Sequence, residues 1–275
     1  MKEFIVCSLL FLLVSCNNND SLFVSLPSNK TQIKFQNNLT STTDLNILNY
    51  LYYYNGAGVA AADFNNDGLA DLYFTGNQTA DKLYLNTGGL QFKDITKQAL
   101  INNSTPWTTG VTTVDINNDG FLDIYICKIG AHNSIKGNNL LYINEGPDNN
   151  GIPRFKEDAS NYGLDIASFA TQASFFDYDK DGDLDLFLMN HSLYPNSNYG
   201  KGSIRREVDQ MSGDKLFENK QGKFEDVTSQ SGIFQGKIGY GLGLSIGDVT
   251  NDGYPDIYVG NDFFENDYLY INQKD

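Results

Sequence analysis

Four copies of one acidic nonapeptide carry side chains able to cage a hard cation. They read DFNNDGLAD (Asp63 to Asp71), DINNDGFLD (Asp115 to Asp123), DYDKDGDLD (Asp177 to Asp185) and DVTNDGYPD (Asp248 to Asp256). Each has Asp at positions 1, 5 and 9 and Gly at position 6. Position 3 is Asn65, Asn117, Asp179 or Thr250. Ca²⁺ takes roughly six to eight oxygen ligands in a flexible shell. Side chains at alternate positions of a tight loop can converge on one point: Asp63, Asn65 and Asp67; Asp115, Asn117 and Asp119; Asp177, Asp179 and Asp181; Asp248, Thr250 and Asp252. Gly at position 6 allows the sharp turn because it tolerates positive φ. Position 7 offers a backbone carbonyl (Leu69, Phe121, Asp183, Tyr254), and the Asp at position 9 (Asp71, Asp123, Asp185, Asp256) closes the cage. At about 4 Å and an effective dielectric of about 20, each pair of clustered carboxylates repels by on the order of 4 kcal/mol. A divalent cation removes that cost. Oxygen ligands alone favour Ca²⁺ over Zn²⁺ or Cu²⁺, and Mg²⁺ prefers to keep its waters. Up to four Ca²⁺ ions are expected. The fourth site is the weakest, because Thr250 brings neither amide nor carboxylate.

An EF-hand begins in a similar way but needs Glu at position 12 and flanking helices. Position 12 here is Phe74, Ile126, Leu188 or Val259, each inside an apolar, strand-like run. A metal-free Asp/Asn/Gly turn is the plain alternative for any single copy. Four copies in register favour the cage.

The loops must be held by strands. A small-residue or apolar strand precedes each loop (GVAAADF, GVTTVDI, TQASFFDY, GLGLSIGDV), and LYF, IYI, LFL or IYV follows it. An L-[YF]-x-N strand comes next: KLYLNTG (82 to 88), LLYINEG (140 to 146), KLFENKQG (215 to 222) and YLYINQ (268 to 273). A strand built on F-x-[DE] closes the first three units at Phe92, Phe155 and Phe224. Tyr, Phe, Val and Ile punctuated by Gly, Asn and Asp read as strands and turns. Units of on the order of 50 to 70 residues, each with four antiparallel strands, predict an all-β fold, a β-propeller of about four blades. A β-solenoid is the rival, with coils usually shorter and more uniform. Ile33 to Asn37 resembles a last-type strand and the chain ends on a third-type strand. The expectation is a piece of a larger propeller.

Residues 1 to 16 read as a targeting segment: Lys2, an apolar run from Phe4 to Val14 too short to span a membrane, then Leu13-Val14-Ser15-Cys16. The ending resembles a bacterial lipobox, with Cys16 lipidated. Residues 17 to 30 read as a polar tether and 31 to 275 as the propeller. Cys127 is then the sole remaining thiol, a buried strand residue with no partner for a disulfide. The net charge of −15 argues against nucleic acid, which needs a basic footprint. Arg205-Arg206, the only basic pair, lies in the long insertion between units 3 and 4 and reads as a solvated face. His132 and His191 are isolated from each other and read as surface or loop residues.

The D-x-[DN]-x-D-G-x-x-D loops resemble those of the FG-GAP/VCBS repeat family, the calcium-loop propellers that include the integrin α-subunit head. Residues 52 to 77, 175 to 191 and 239 to 270 are more closely similar to bacterial secreted proteins related to cartilage acidic protein 1, whose C-terminal part is often an ASPIC/UnbV module. The resemblance covers residues 31 to 275. It implies the propeller fold and calcium ligands at the loop positions named above. Thr250 departs from the commonest pattern.

Three functions fit the sequence. The first is a non-enzymatic scaffold, lipid-anchored in the bacterial envelope at the outer membrane or cell surface, whose loops contact an extracellular protein or glycan. The second is a carbohydrate-active enzyme using paired carboxylates. Most close pairs belong to the loops, though, and no H-E-x-x-H or Cys/His arrangement occurs. Asp262, Glu265 and Asp267 are the leftover acids, more simply read as a blade loop. The third is a structural segment of a larger surface assembly. The scaffold is the reading preferred, with no catalytic residue assigned.

Overall fold

The structure, a computed structural model, describes residues 21–102, 107–193, 200 and 202–274. The expected targeting segment, with Cys16, lies outside them. No helix among the described residues is long and apolar enough to cross a membrane. Of the expected tether, residues 21 to 30 are exposed and lead into a single helical turn, Ser28–Thr31.

Among the described residues fifteen strands form four antiparallel sheets, the blades of a β-propeller. Blade 1 holds β1 (Val59–Ala62), β2 (Asp71–Phe74), β3 (Lys82–Asn86) and β4 (Phe92–Asp94). Blade 2 holds β5 (Thr108–Val114), β6 (Asp123–Lys128), β7 (Leu140–Pro147) and β8 (Pro153–Glu157). Blade 3 holds β9 (Ala170–Phe176), β10 (Asp185–Asn190), β11 (Lys215–Asn219) and β12 (Phe224–Asp226). Blade 4 has three described strands: β13 (Gly241–Gly247), β14 (Asp256–Asn261) and β15 (Tyr268–Tyr270). Within each blade the strands pair in chain order. The first strands β1, β5, β9 and β13 are innermost, and each packs on the next.

The apolar code of the second strands explains how blades stack. β6 and β10 are buried along their whole length. Successive side chains leave opposite faces of a strand. Ile124 and Ile126 therefore pack toward blade 1, in a core with Tyr73 and Leu83. Tyr125 and Cys127 pack toward blade 3, with Leu186, Leu188 and Phe217. Phe187 and Met189 continue the alternation toward blade 4, against Ile257 and Val259. A strand flanked by a blade on each side needs no polar face. Cys127 is buried, as its IYIC setting predicts, and burial pushes its thiol pKa up.

The inner strands approach closely. A Cβ on Gly110 would lie 2.3 Å from the Thr171 carbonyl oxygen, and one on Gly58 would lie 2.9 Å from that of Thr109. Threonines tie the same strands across blades: Thr75 Oγ1 donates to the Thr109 carbonyl at 2.9 Å, and Thr109 Oγ1 to the Ala170 carbonyl at 2.7 Å.

Two devices recur at the strand ends. Asp81, Asn139, Asp214 and Asp267, each two residues before an L-[YF]-x-N strand, accept the backbone N–H of Gly76, Lys128, Asn190 and Asn261 at 2.8 to 2.9 Å. They pin the turn between second and third strands. The Asn ending each L-[YF]-x-N motif (Asn86, Asn144, Asn219, Asn272) donates to the loop carbonyl of Ala70, Leu122, Leu184 or Pro255. Asn144 and Asn272 also reach the preceding blade, at the carbonyls of Phe64 and Tyr178.

Ile33 to Asn37 is not a strand, contrary to its F-x-D-like pattern. Side chains hold it against blade 1 instead: Phe35 stacks on Phe74 at 5.1 Å, and the Lys34 N–H donates to the Tyr84 hydroxyl. The two histidines also depart from expectation. His132 and His191 are 3 % and 2 % exposed, and both rings lie beside Tyr50. The segment Asp44 to Asn55 folds over the start of the inner strands and supplies the aromatic residues Tyr50, Tyr52 and Tyr53 that bury them.

Candidate metal centre

Each acidic loop closes the hairpin between a first and a second strand in the same register. Ala62 pairs with Asp71, Val114 with Asp123, Phe176 with Asp185, and Gly247 with Asp256. Position 6 is glycine at φ +87°, +87°, +99° and +89°. Position 4 is also left-handed: Asn66, Asn118, Lys180 and Asn251 sit at φ +57° to +64°. Asn is among the side chains that enter this region most readily. The N-N-D-G and T-N-D-G strings carried that signal, which the sequence reading passed over.

The carboxylate at position 1 organises the turn. In blades 1, 2 and 4, Asp63, Asp115 and Asp248 accept the N–H groups of positions 5 and 6 at 2.7 to 3.0 Å. The Asp at position 5 accepts the N–H of position 7 through one oxygen in every blade: Asp67, Asp119, Asp181 and Asp252. Asn65 and Asn117 at position 3 donate to the other oxygen of Asp67 and Asp119.

Position 9 is the most buried. Asp71, Asp123, Asp185 and Asp256 point back under the loop, and each accepts at least two backbone N–H groups. One comes from position 2 (Phe64, Ile116, Tyr178, Val249) and one from the Asn of the third strand (Asn86, Asn144, Asn219, Asn272). These residues knit loop, second strand and third strand together, a structural task beyond the ligand role read from spacing. Burial raises the carboxyl pKa to about 6 at Asp71 and Asp123 and about 7 at Asp185, against the lowering effect of those hydrogen bonds.

The blade 3 loop differs. Asp177 binds Gly182 N–H through one oxygen, while its Oδ1 is buried with no partner among the described residues. Asp183 Oδ1 is orphaned in the same way. One carboxylate oxygen each from Asp177, Asp179 and Asp185 lies within 4.8 Å of the others. Burial raises the Asp179 carboxyl pKa, with the charges of Asp181, Asp177 and Glu218 adding to it. In blade 1 the Oδ1 of Asn65 is likewise buried and unpaired. Acceptors aimed inward without donors are costly, and a cation relieves that cost. The donor set, all oxygen, suits a hard ion.

In blade 4, Thr250 Oγ1 lies 3.5 Å from Asp248, and Lys274 forms an ion pair with Asp252 at 3.2 Å. A cationic side chain thus competes at the site that spacing already ranked weakest.

The remaining acids are engaged in structure. Glu265, its side chain 1 % exposed, pairs with Arg205 at 2.8 Å. Arg205, read from sequence as solvated, fastens the short helical turn Gly202–Arg206 to blade 4. Asp267 accepts from the Tyr258 hydroxyl as well as pinning its turn, and Asp262 bonds the N–H of Phe263.

The family description "FG-GAP-like repeat" matches residues 63–126, and "FG-GAP repeat" matches residues 240–271. Cartilage acidic protein 1 of Homo sapiens is 33% identical over 136 residues, 48% of this chain and 20% of that protein. The Xenopus tropicalis protein of the same name is 32% identical over 139 residues, 50% of this chain and 21% of its own length. The chain thus matches about a fifth of the length of these relatives. The repeated loops and the blades they close thus include segments that match FG-GAP repeats, at residues 63–126 and 240–271.

Proposed function

We propose that the chain is a calcium-binding propeller that acts as a non-enzymatic scaffold for an extracellular protein or glycan. The observation that carries the metal reading is the blade 3 loop, where three carboxylates converge and two buried oxygens lack donors. Asp177, Asp179, Asp181 and Asp185, with the position 7 carbonyl of Asp183, would hold the ion there. Asp63, Asn65, Asp67, Asp71 and the Leu69 carbonyl would hold it in blade 1, and Asp115, Asn117, Asp119, Asp123 and the Phe121 carbonyl in blade 2. In blade 4 the set is Asp248, Thr250, Asp252, Asp256 and the Tyr254 carbonyl. Bound calcium would neutralise the repulsion within each loop and rigidify the rim.

The non-enzymatic reading is supported by the structural duties of Glu265 and Asp267. The envelope location, with a lipid on Cys16, is supported by the sequence of residues 1 to 16 alone.

The test is thermal unfolding of the chain from residue 17 in millimolar Ca²⁺, in EGTA and in Mg²⁺. A rise in midpoint specific to Ca²⁺ is expected, because a ligand that binds only the folded state stabilises it by mass action. An unchanged midpoint in all three would remove the metal reading.

A further inference from the structure

The acidic loops lie where the inner strands end. A cavity of about 320 Å³ opens on the axis where the same strands begin, on the opposite face. Val59, Thr109, Thr171 and Leu242, from the first residues of β1, β5, β9 and β13, all line it. Small-molecule sites usually occupy about 300 to 1,000 Å³, so this one takes a group of one or two rings.

Its walls specify the ligand's chemistry. No Asp, Glu, Lys or Arg lines it. The polar lining comprises the amides of Asn55 and Gln172, two threonines, Tyr52 and His191, set among apolar surfaces that include Trp107 and Met189. His191 is 2 % exposed and stacks on Tyr52 at 4.3 Å. Among the described residues neither of its ring nitrogens has a hydrogen-bond partner, and the Tyr52 hydroxyl has none either. Burial keeps the imidazole neutral, so it presents one donor and one acceptor. His191 and Tyr52 both line the cavity. The backbone is irregular around the mouth. Trp107 and Phe263 are bulky residues at φ +68° and +58°, and β5, β9 and β13 each bulge near their first residues. Such features concentrate beside functional sites.

We propose that this axial cavity binds an uncharged saccharide residue, its hydroxyls bonding Asn55, Gln172, His191 and Tyr52 of the lining. A neutral ring with several hydroxyls, each donor and acceptor, matches an uncharged lining that mixes amides, a phenol and a neutral imidazole. The inference rests on the scaffold reading and names its ligand class and place.

Trp107 is the chain's single tryptophan. Its fluorescence, recorded in Ca²⁺ during titration with neutral methyl hexosides and their disaccharides, reports occupancy directly. Acidic sugars and short peptides are the comparison arms. A saturable change with a neutral saccharide is expected, at least fivefold weaker in Gln172→Ala and tenfold weaker in His191→Phe. His191→Phe keeps the stack on Tyr52 and removes the orphaned nitrogens, so its melting midpoint should not fall. If that variant does not fold, the exposed Gln172→Ala carries the test. No change with any neutral saccharide, equal affinity in both variants, or a preference for charged ligands overturns the proposal. Loss of saccharide binding with Ca²⁺-dependent melting intact would sink the cavity and spare the metal loops; the reverse result would do the opposite.

Discussion

The aspartates of one loop do unlike work. Those at position 1 order the turn, those at position 5 accept the position 7 N–H, and those at position 9 serve at least two backbone N–H groups each. Removing a buried acceptor leaves its donors unsatisfied, at about 1 to 3 kcal/mol apiece. Asp123→Ala is therefore expected to destabilise by roughly 2 to 5 kcal/mol even in EGTA, measured by denaturant unfolding. Asp181→Ala should act differently. Its main effect is expected in Ca²⁺, where it shrinks the calcium-induced rise in melting midpoint more than Thr250→Ala does. Equal and negligible effects of the two on that rise would count against the cage. Spacing alone located all of these aspartates. It could not separate ligand from pin, because that depends on the third-strand Asn, which arrives from 15 to 34 residues away.

At the scale of the element, the turn between second and third strands carries a titratable pin. Asp214 is 4 % exposed and accepts the Asn190 N–H at 2.9 Å. Burial pushes its carboxyl pKa up to about 7, with that hydrogen bond opposing the rise. An unfolded Asp ionises near pH 4. The folded state thus retains a proton that the unfolded state loses between about pH 4 and 7. Its contribution is full below pH 4 and is lost as pH rises through about 7. Asp214→Asn preserves the acceptor and removes the titration. Its unfolding free energy should fall less steeply over that window, by at most about 1.4 kcal/mol per pH unit. Parallel pH profiles for the two proteins would exclude this role. The inner strands make a second prediction. Gly110→Ala forces a Cβ against the Thr171 carbonyl, and overpacking there is expected to cost about 1 to 3 kcal/mol in chemical unfolding. The strand pattern and the D/N-x-L-[YF]-x-N string were both present in the sequence, but only the first was legible without knowing which N–H the acidic residue would cap.

For the whole molecule, alternating side chains of the second strands join the first three blades to their neighbours through shared cores. Blade 4 turns its outer face to solvent, with Tyr258 and Leu269 exposed. Cys127 sits between blades 2 and 3 and is out of reach of reagents until those blades separate. Its reaction with a thiol reagent should be slow in the native protein and about tenfold slower again in Ca²⁺ than in EGTA, a measure of how far the loops stabilise the ring by linkage. Rapid labelling independent of calcium would mean that the blades part without releasing the metal loops.

Local chemistry made the repeats, the strand order within blades and the four acidic loops readable from the chain itself. Each depends on residues close in sequence: a period of two for strands, a glycine for the turn, carboxylates at alternate positions. Tertiary structure decided what depends on distant segments. It laid Ile33 to Asn37 on a blade face, drew His132 and His191 into one aromatic cluster, fastened Arg205 to Glu265 and opened a neutral cavity on the axis. No single repeat encodes these, because each is made where several blades or an insertion meet, and burial there reverses the preference for solvent that a lone histidine or arginine shows in sequence.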